Sequence, residues 1–258
     1  MNALLGTANL VLQAVAVHAP RAVVLCFGEE AAHYRVALYP AYHADRPPMP
    51  PELEHQWSAA PAFFGAFGWE VIRDDELEAD DVLGSLAAIE AGDGGRALLF
   101  TSDRDMYQCV GPQVAVLAPR RGGDGPELVD VAGVRSRYGV EPAQVPDFIA
   151  LRGDPSDGLP GASGIGAQTA RDLLRAHGTL EAVIAAARRQ RPRVAAALRD
   201  QADLLRTFRD IATLRPVDVS RPPDRPTDLA GAAFAARELG MNRLAERLQP
   251  GTSSEELR

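Results

Sequence analysis

Lysine is missing from this chain altogether. All 27 of its basic residues are arginine, a bias that a GC-rich coding sequence produces by itself, so Arg in place of Lys carries little functional meaning. Cysteine is nearly missing too. Cys26 and Cys109 are the only two in 258 residues, and both sit in apolar or near-apolar contexts. That argues against a disulfide framework and makes a reducing cytoplasm the expected compartment. No apolar run reaches the roughly eighteen residues that a membrane-spanning helix needs. Residues 1–22 are apolar but lack a basic leader and a clear cleavage site, so they read as a helix rather than a signal peptide. HExxH, CxxC, GxSxG and Walker A sequences are all absent. The five histidines (His18, His33, His43, His55 and His177) are scattered without metal-ligand spacing and read as surface residues.

What is present is a chain 46% hydrophobic, enough for a sizeable core in one large or two small domains. The net charge of −8 argues mildly against a nucleic-acid partner, which usually wants a basic face. The charge is unevenly spread, however. Acids concentrate between Asp74 and Asp105, and arginines between Arg171 and Arg209.

The apolar pattern predicts helices over 2–18, 52–67 and 77–90, and strands over 21–27, 69–72, 96–101 and 114–118. Strands alternating with helices predict a parallel α/β sheet. The five prolines in 39–51 rule out regular helix or central strand there. Beyond Pro142 the strand signals stop. Helices are predicted over 146–151, 169–177, 180–189, 193–214 and 230–249.

Three groups of acids stand at telling places. Glu78, Asp80 and Asp81 open a predicted helix in LEADDV. Capping explains acids there, but it needs one and there are three. Asp103 and Asp105 follow the strand RALLFT, where ligands bind in parallel α/β sheets; an Asx-capped turn is the plain alternative. Asp154 and Asp157 lead the stretch GDPSDGLPGASGIGAQTAR, whose glycines Gly153, Gly158, Gly161, Gly164 and Gly166 precede a helix start at Thr169. Such a turn can hold a phosphate on backbone N–H groups, or it can be a solvated loop. Seven converging carboxylates would repel one another unless divalent cations neutralised them. Mg²⁺ held by a few carboxylates, waters and phosphates suits that composition, and two such ions can activate water for phosphodiester hydrolysis.

The order LEADDV, TSDRDMYQ and GDPSDGLPGASGIGAQTARDLL, with YRVALYPAYHADRPPMPPEL ahead of it, resembles the 5′-nuclease superfamily. That group contains the 5′–3′ exonuclease domain of bacterial DNA polymerase I and the flap endonucleases. The likeness covers about residues 1–249. It implies a PIN-like α/β domain (1–140) with a parallel sheet and flanking helices, then an all-α helix–hairpin–helix domain (141–250) and a disordered tail (251–258). It also implies two Mg²⁺ or Mn²⁺ ions held by Glu78, Asp80, Asp81, Asp103, Asp105, Asp154 and Asp157, with Glu78, Asp80, Asp103 and Asp105 catalytic. Duplex DNA would be gripped by Gly161, Gly164, Ile165, Gly166, Gln168, Thr169 and Arg171, with a K⁺ site at the hairpin. Arg35, Tyr42 and Arg46 match the approach to a helical arch. A monomer working beside a DNA polymerase, in the cytoplasm at the nucleoid, completes what the resemblance implies.

The departures are equally specific. The family begins with a strand carrying an aspartate ahead of the position of Asn2, so that ligand is expected to be absent. Loss of this central strand is expected to leave two facing rows of backbone groups exposed. The next strand usually ends Phe-Asp, whereas this chain reads Phe27-Gly28 with Glu29 and Glu30 following. His43 and Gln168 stand where lysines are usual. Two readings therefore remain: a metal-dependent 5′–3′ exonuclease or flap endonuclease, and a catalytically impaired module that binds branched DNA. An RNA-cleaving PIN-type protein has no use for the glycine hairpin.

Overall fold

The computed structural model describes residues 1–120 and 125–249; the tail expected over 251–258 lies outside the described residues. Helix α1 (Asn2–His18) ends where Ala19 turns left-handed ahead of Pro20. It leads into β1 (Val24–Phe27). A short α2 (His33–Leu38) precedes the proline segment, which is irregular as expected. Pro51 then opens α3 (Pro51–Gly65), at the position where its missing N–H costs nothing. Next come β2 (Glu70–Arg73), α4 (Ala79–Gly92) and β3 (Ala97–Phe100). A 3-10 turn (Asp105–Cys109) connects to β4 (Val114–Ala118), β5 (Glu127–Val129) and α5 (Val131–Tyr138).

The sheet is in two pieces. β1 pairs parallel with β2 (Val24 opposite Glu70), and β3 pairs parallel with β4 (Ala97 opposite Val114). β5 is antiparallel to β4 (Val116 opposite Val129); this short strand and α5 have too few apolar residues to stand out in the sequence. Helix α4 packs on both β1 and β3, so the pieces share a support although no described residues pair across them. Among the described residues, β1 and β3 each have a single sheet neighbour.

The helical part contains α6 (Val145–Arg152), α7 (Ala167–His177), α8 (Leu180–Ala185), α9 (Pro192–Asp200) and α10 (Ala202–Ala212). The single helix expected over 193–214 breaks at Gln201, between α9 and α10. A long irregular stretch then returns the chain to α11 (Leu229–Glu238) and α12 (Asn242–Arg247). Left-handed Gly240 separates these two, where the apolar pattern predicts one helix.

Two cores hold these elements. The larger joins β3, β4 and α5 to α6, α7 and α10, with Phe148, Ile149, Leu151, Phe208 and Ile211 essentially inaccessible. Full burial of each such side chain contributes roughly 1.5–3 kcal/mol. The smaller packs α11 and α12 onto α1 and α3 around Phe63, Phe64, Phe67 and Trp69. The stretch 141–250 is thus not one packing unit, because its last two helices cover the α/β part. No helix among the described residues is long and apolar enough to cross a membrane.

Candidate metal and phosphate site

The carboxyl ends of β1 and β3, the start of α4 and the segment 28–46 enclose a cavity of about 420 Å³ lined by Glu78, Asp80, Asp103, Asp105 and Asp157. A second, open cavity of about 670 Å³ shares Asp103 and Asp105 and adds Asp154. The sequence-predicted acids are therefore gathered, with one exception.

That exception is Asp81. Capping claims it, because Asp81 Oδ2 accepts the Glu78 N–H in a reciprocal capping pair at the start of α4. Its Oδ1 accepts from Arg35 Nη2 at 3.0 Å and from the Arg215 backbone N–H at 2.7 Å. Asp81 is fully buried and lines neither cavity. It ties α4 to the end of the helical part rather than facing a ligand. Glu78 is held nearly as firmly: it accepts from the Ala32 N–H at 2.8 Å and the Tyr42 hydroxyl at 3.0 Å, and pairs with Arg35 at 2.7 Å.

Arg35 is the cation that makes this arrangement possible. It is buried, and its Nε also donates to the Ile211 carbonyl. Burial disfavours its charge, but Glu78 and Asp81 outweigh that and raise its pKa. The resemblance gives Arg35 and Tyr42 the task of guiding a DNA strand. Both are instead enclosed in the cavity wall, and neither presents its polar group outward.

Among the described residues no cation forms an ion pair with Asp80, Asp103 or Asp105, although Arg35 partly offsets Asp80 and Arg46 partly offsets Asp103. Burial, then Asp103 and Glu78, push Asp80 up to about 7. Burial also raises Asp103, with Asp157 and Asp154 adding to the rise. Asp105 lies well above its ordinary value through burial and Asp103. Three crowded carboxylates that resist ionisation are what a divalent cation would relieve. The donor set therefore fits Mg²⁺ or Mn²⁺. Among the described residues, no three acid, histidine or cysteine side chains close into a ligand cage.

The loop 154–159 is closed by reciprocal backbone bonds between Asp154 and Leu159, each 2.8 Å. Asp154 accepts from the Ser156 N–H and hydroxyl and pairs with Arg152 at 2.9 Å. Asp157 is joined to the segment before the proline run by His43 Nε2 at 3.1 Å and Arg46 at 3.3 Å. His43 Nδ1 lies 2.8 Å from the Glu30 carbonyl. Carbonyl and carboxylate are both acceptors, so His43 satisfies both only with both ring nitrogens protonated. The sequence places His43 at the surface, but its side chain is 5% exposed. Nothing in the sequence signals this strap; only folding brings residue 43 to residue 157.

The hairpin follows directly. A Cβ on Gly161 would fall 2.3 Å from Gly153 N, and both glycines have positive φ, so only glycine lets these two turns touch. Ile165 is buried and anchors the turn, while Gly164, Gly166 and Gln168 are exposed and Thr169 is half-buried. No side chain caps the start of α7, so its first N–H groups face outward, the arrangement that receives phosphates. Gln168 bonds Asp172 one turn further along the exposed face of α7. Arg171 is turned back, with Nε on the Tyr138 carbonyl at 2.9 Å. Arg188, Arg189, Arg191, Arg193 and Arg199, from the segment leading into α9 and from α9 itself, are exposed. A Cβ on Gly164 would fall 2.7 Å from Arg193 Nε, so that guanidinium borders the hairpin.

Gly28 is explained by contact. A Cβ there would fall 2.4 Å from Ala79 N and 2.6 Å from Leu77 O. The start of α4 sits directly on this residue, and no aspartate fits at 28 without moving it. Glu29 and Glu30 line the cavity one and two positions further on.

Buried acids gathered at the strand ends and a glycine hairpin leading into an uncapped helix start are the two features that define the class of site here. The comparisons give the particular family. A model of the 5′–3′ exonuclease N-terminal resolvase-like domain matches residues 1–139, and one of the 5′–3′ exonuclease C-terminal SAM fold matches 140–225. The chain belongs to the 5′–3′ exonuclease family. It is 34% identical over 224 residues to DNA polymerase I of Mycobacterium bovis, covering 86% of this chain and 25% of the polymerase. It is 33% identical over 256 residues to the thermostable DNA polymerase I of Thermus thermophilus, covering 98% and 29%. The chain thus spans about a quarter of the length of the polymerases it matches. In fold it is similar to the T5 5′-exonuclease with bound zinc (TM-score 0.66, 15% identity, 99% of this chain and 89% of that one). It is also similar to the T5 flap endonuclease in complex with DNA and metal ions (TM-score 0.68, 14% identity, 94% and 89%). The catalytic core of Rad2 with DNA has the same fold (TM-score 0.56, 14% identity, 89% and 78%).

Proposed function

We propose that this chain hydrolyses DNA phosphodiesters at 5′ ends or flaps. The observation that carries the reading is the trio Asp80, Asp103 and Asp105, gathered at one cavity with carboxyl pKa values raised chiefly by burial. Two Mg²⁺ or Mn²⁺ ions would be held by these three with Glu78, Asp154 and Asp157. When bound they supply an activated water and charge for the leaving oxygen. The residues do the rest. Arg35 and Tyr42 fix Glu78 at the cavity wall, and Asp81 holds α4 in place. The N–H groups of Gly164 and of Gly166 to Thr169 receive phosphates of the duplex, while the Ile165 N–H is held by the Ala162 carbonyl, and Arg46 and Arg193 add charge at the entrance. A K⁺ ion at the hairpin would sit among its carbonyls. Phosphate contacts carry no base identity, so cleavage follows structure and not sequence.

The reading extends to a monomer that acts beside a DNA polymerase at the nucleoid, as the fused arrangement in the relatives suggests. Gly28 and the open set of acids favour a second reading, a module that binds branched DNA without turnover. A 5′-labelled flap duplex distinguishes the two. The nuclease reading expects Mg²⁺- or Mn²⁺-dependent release of the flap, lost in Asp103→Asn. Salt-sensitive binding with no cleavage in either metal establishes the second reading instead.

A further inference from the structure

The apolar stripe of α3 runs past the core that covers it. Leu53, Trp57, Ala60 and Phe64 recur at helical spacing and share one face. Ala60 and Phe64 are buried in the smaller core, whereas Leu53 and Trp57 are 38% and 39% exposed. Trp57 is held in place all the same. It meets the buried ring of Phe27, at the carboxyl end of β1, with centroids 4.9 Å apart and planes at 71°. Together with Met49, the uncovered indole lines the 420 Å³ cavity that also holds Glu78, Asp80, Asp103 and Asp105. A single exposed aromatic is ordinary on a protein surface. One braced against the core and set into the wall of an acidic cavity is placed to touch what enters.

The cavity's charges decide what this wall attracts. Among the described residues, the arginines lining it are Arg35, Arg46 and Arg73. Each is already paired: Arg35 with Glu78 and Asp81, Arg46 with Asp157, Arg73 with Asp75. Glu29 and Glu30 add further negative charge. A nucleic-acid strand held here by its phosphates alone would face walls that are mostly acidic. Stacking on an indole needs no charge, and every nucleobase has a face to offer it. Met49 adds an unbranched, adaptable apolar contact. The aromatic wall is therefore the part of this cavity able to attract a strand without help from a cation.

We propose that Trp57 is the stacking platform for an unpaired nucleobase of the strand whose phosphodiester enters the acidic cavity. The proposal rests on the reading of that cavity as a DNA site and adds what holds the strand there. It makes Trp57 a binding residue, not a catalytic one. The platform senses whether a base is present and not which base it is, because stacking tolerates any sequence.

The test uses a 5′-flap duplex in EDTA, so that no metal-dependent cleavage intervenes. Two flaps are compared, one of thymidines and one of the same length built from abasic sites. The chain has two tryptophans. Trp69 is 2% exposed, with Nε1 donating to Thr227 Oγ1 at 3.0 Å, so emission that responds to a flap comes from Trp57. The thymidine flap should quench that emission at saturation, and the abasic flap should not. Trp57→Ala should weaken binding of the thymidine flap about tenfold, the scale of one stacked base. The abasic flap, which has nothing to stack, should bind that variant as it binds the wild type, which also shows that the variant folds. Trp57→Phe should recover most of the loss. The ratio between the two flaps should persist as salt is raised, although both bind more weakly. Equal quenching by both flaps overturns the proposal. An equal loss for both flaps in Trp57→Ala overturns it too, because Trp57 would then support the fold and not a base. Either outcome leaves DNA binding, and with it the nuclease reading, standing. No binding of either flap at low salt removes the DNA reading and the proposal with it.

Discussion

The substitution Asp80→Asn should make the metal-free protein more stable while removing its response to Mg²⁺. The group's pKa rises from 3.8 to about 7, chiefly through burial and then through Asp103 and Glu78. A raised carboxylate pKa means that the folded state holds the proton more tightly than the unfolded chain. The resulting stability is complete below the unfolded value and is lost as pH rises through about 7. Each tenfold change in proton affinity corresponds to about 1.4 kcal/mol, so the loss at pH 8 is at most roughly 4 kcal/mol. The repulsion is shared with Asp103 and Asp105, so the substitution would recover only part, on the order of 1–2 kcal/mol. For a chain of this size that is about 2–8 °C in Tm. No hydrogen bond to the Asp80 carboxylate is lost among the described residues, so no offsetting term opposes the gain. Differential scanning calorimetry at pH 8 in EDTA, and again with saturating Mg²⁺, is the assay. The wild type should gain with the metal as RT ln(1 + [L]/Kd), about 2.7 kcal/mol at a hundredfold excess over Kd. The D80N variant should gain far less, so the order of the two proteins reverses. Its advantage in EDTA should shrink as pH falls below 7. A D80N protein less stable than wild type in EDTA at pH 8, or equally responsive to Mg²⁺, refutes the reasoning.

Two further outcomes follow from the same contacts. Arg35→Met leaves Asp81 and Glu78 in the wall without their cation, and should cost about 3–5 kcal/mol in urea unfolding; a change under about 1 kcal/mol would show that the pair is not desolvated. Gly28→Asp places a side chain onto the Ala79 N–H and Leu77 carbonyl, so it should lower Tm and leave Mn²⁺ affinity unimproved. Tighter Mn²⁺ binding in that variant would contradict the packing seen around residue 28.

Where physics acts locally, the sequence is legible. The apolar runs at 24–27, 97–100 and 114–118 have few alternatives to buried strands, and the hairpin glycines announce a turn whose close approach of Gly153 and Gly161 permits no Cβ. Asp80, Asp103, Asp105, Asp154 and Asp157 can be anticipated because each stands at an element boundary beside the others. Asp81 is indistinguishable from Asp80 in sequence. Their fates differ because residue 81 bonds the cap, Arg35 of α2 and the Arg215 N–H beyond α10, contacts distant in sequence. The burial of Arg35 and Tyr42 against Glu78 is equally invisible in sequence, because only folding brings residues 35 and 42 to residue 78. The breaks at Gln201 and Gly240 interrupt continuous apolar patterns and are set by packing, not by composition. The return of α11 and α12 to α1 and α3 is a long-range choice that no local pattern encodes.

The central claim is that the acids crowded at the strand ends exist to hold divalent cations. Crystals grown with Mn²⁺ and measured at the manganese absorption edge test it most directly. The account expects anomalous density bounded by the carboxylates of Asp80, Asp103 and Asp105. Saturating Mn²⁺ that leaves this crevice without a peak, while the three acids keep their metal-free arrangement, would contradict it.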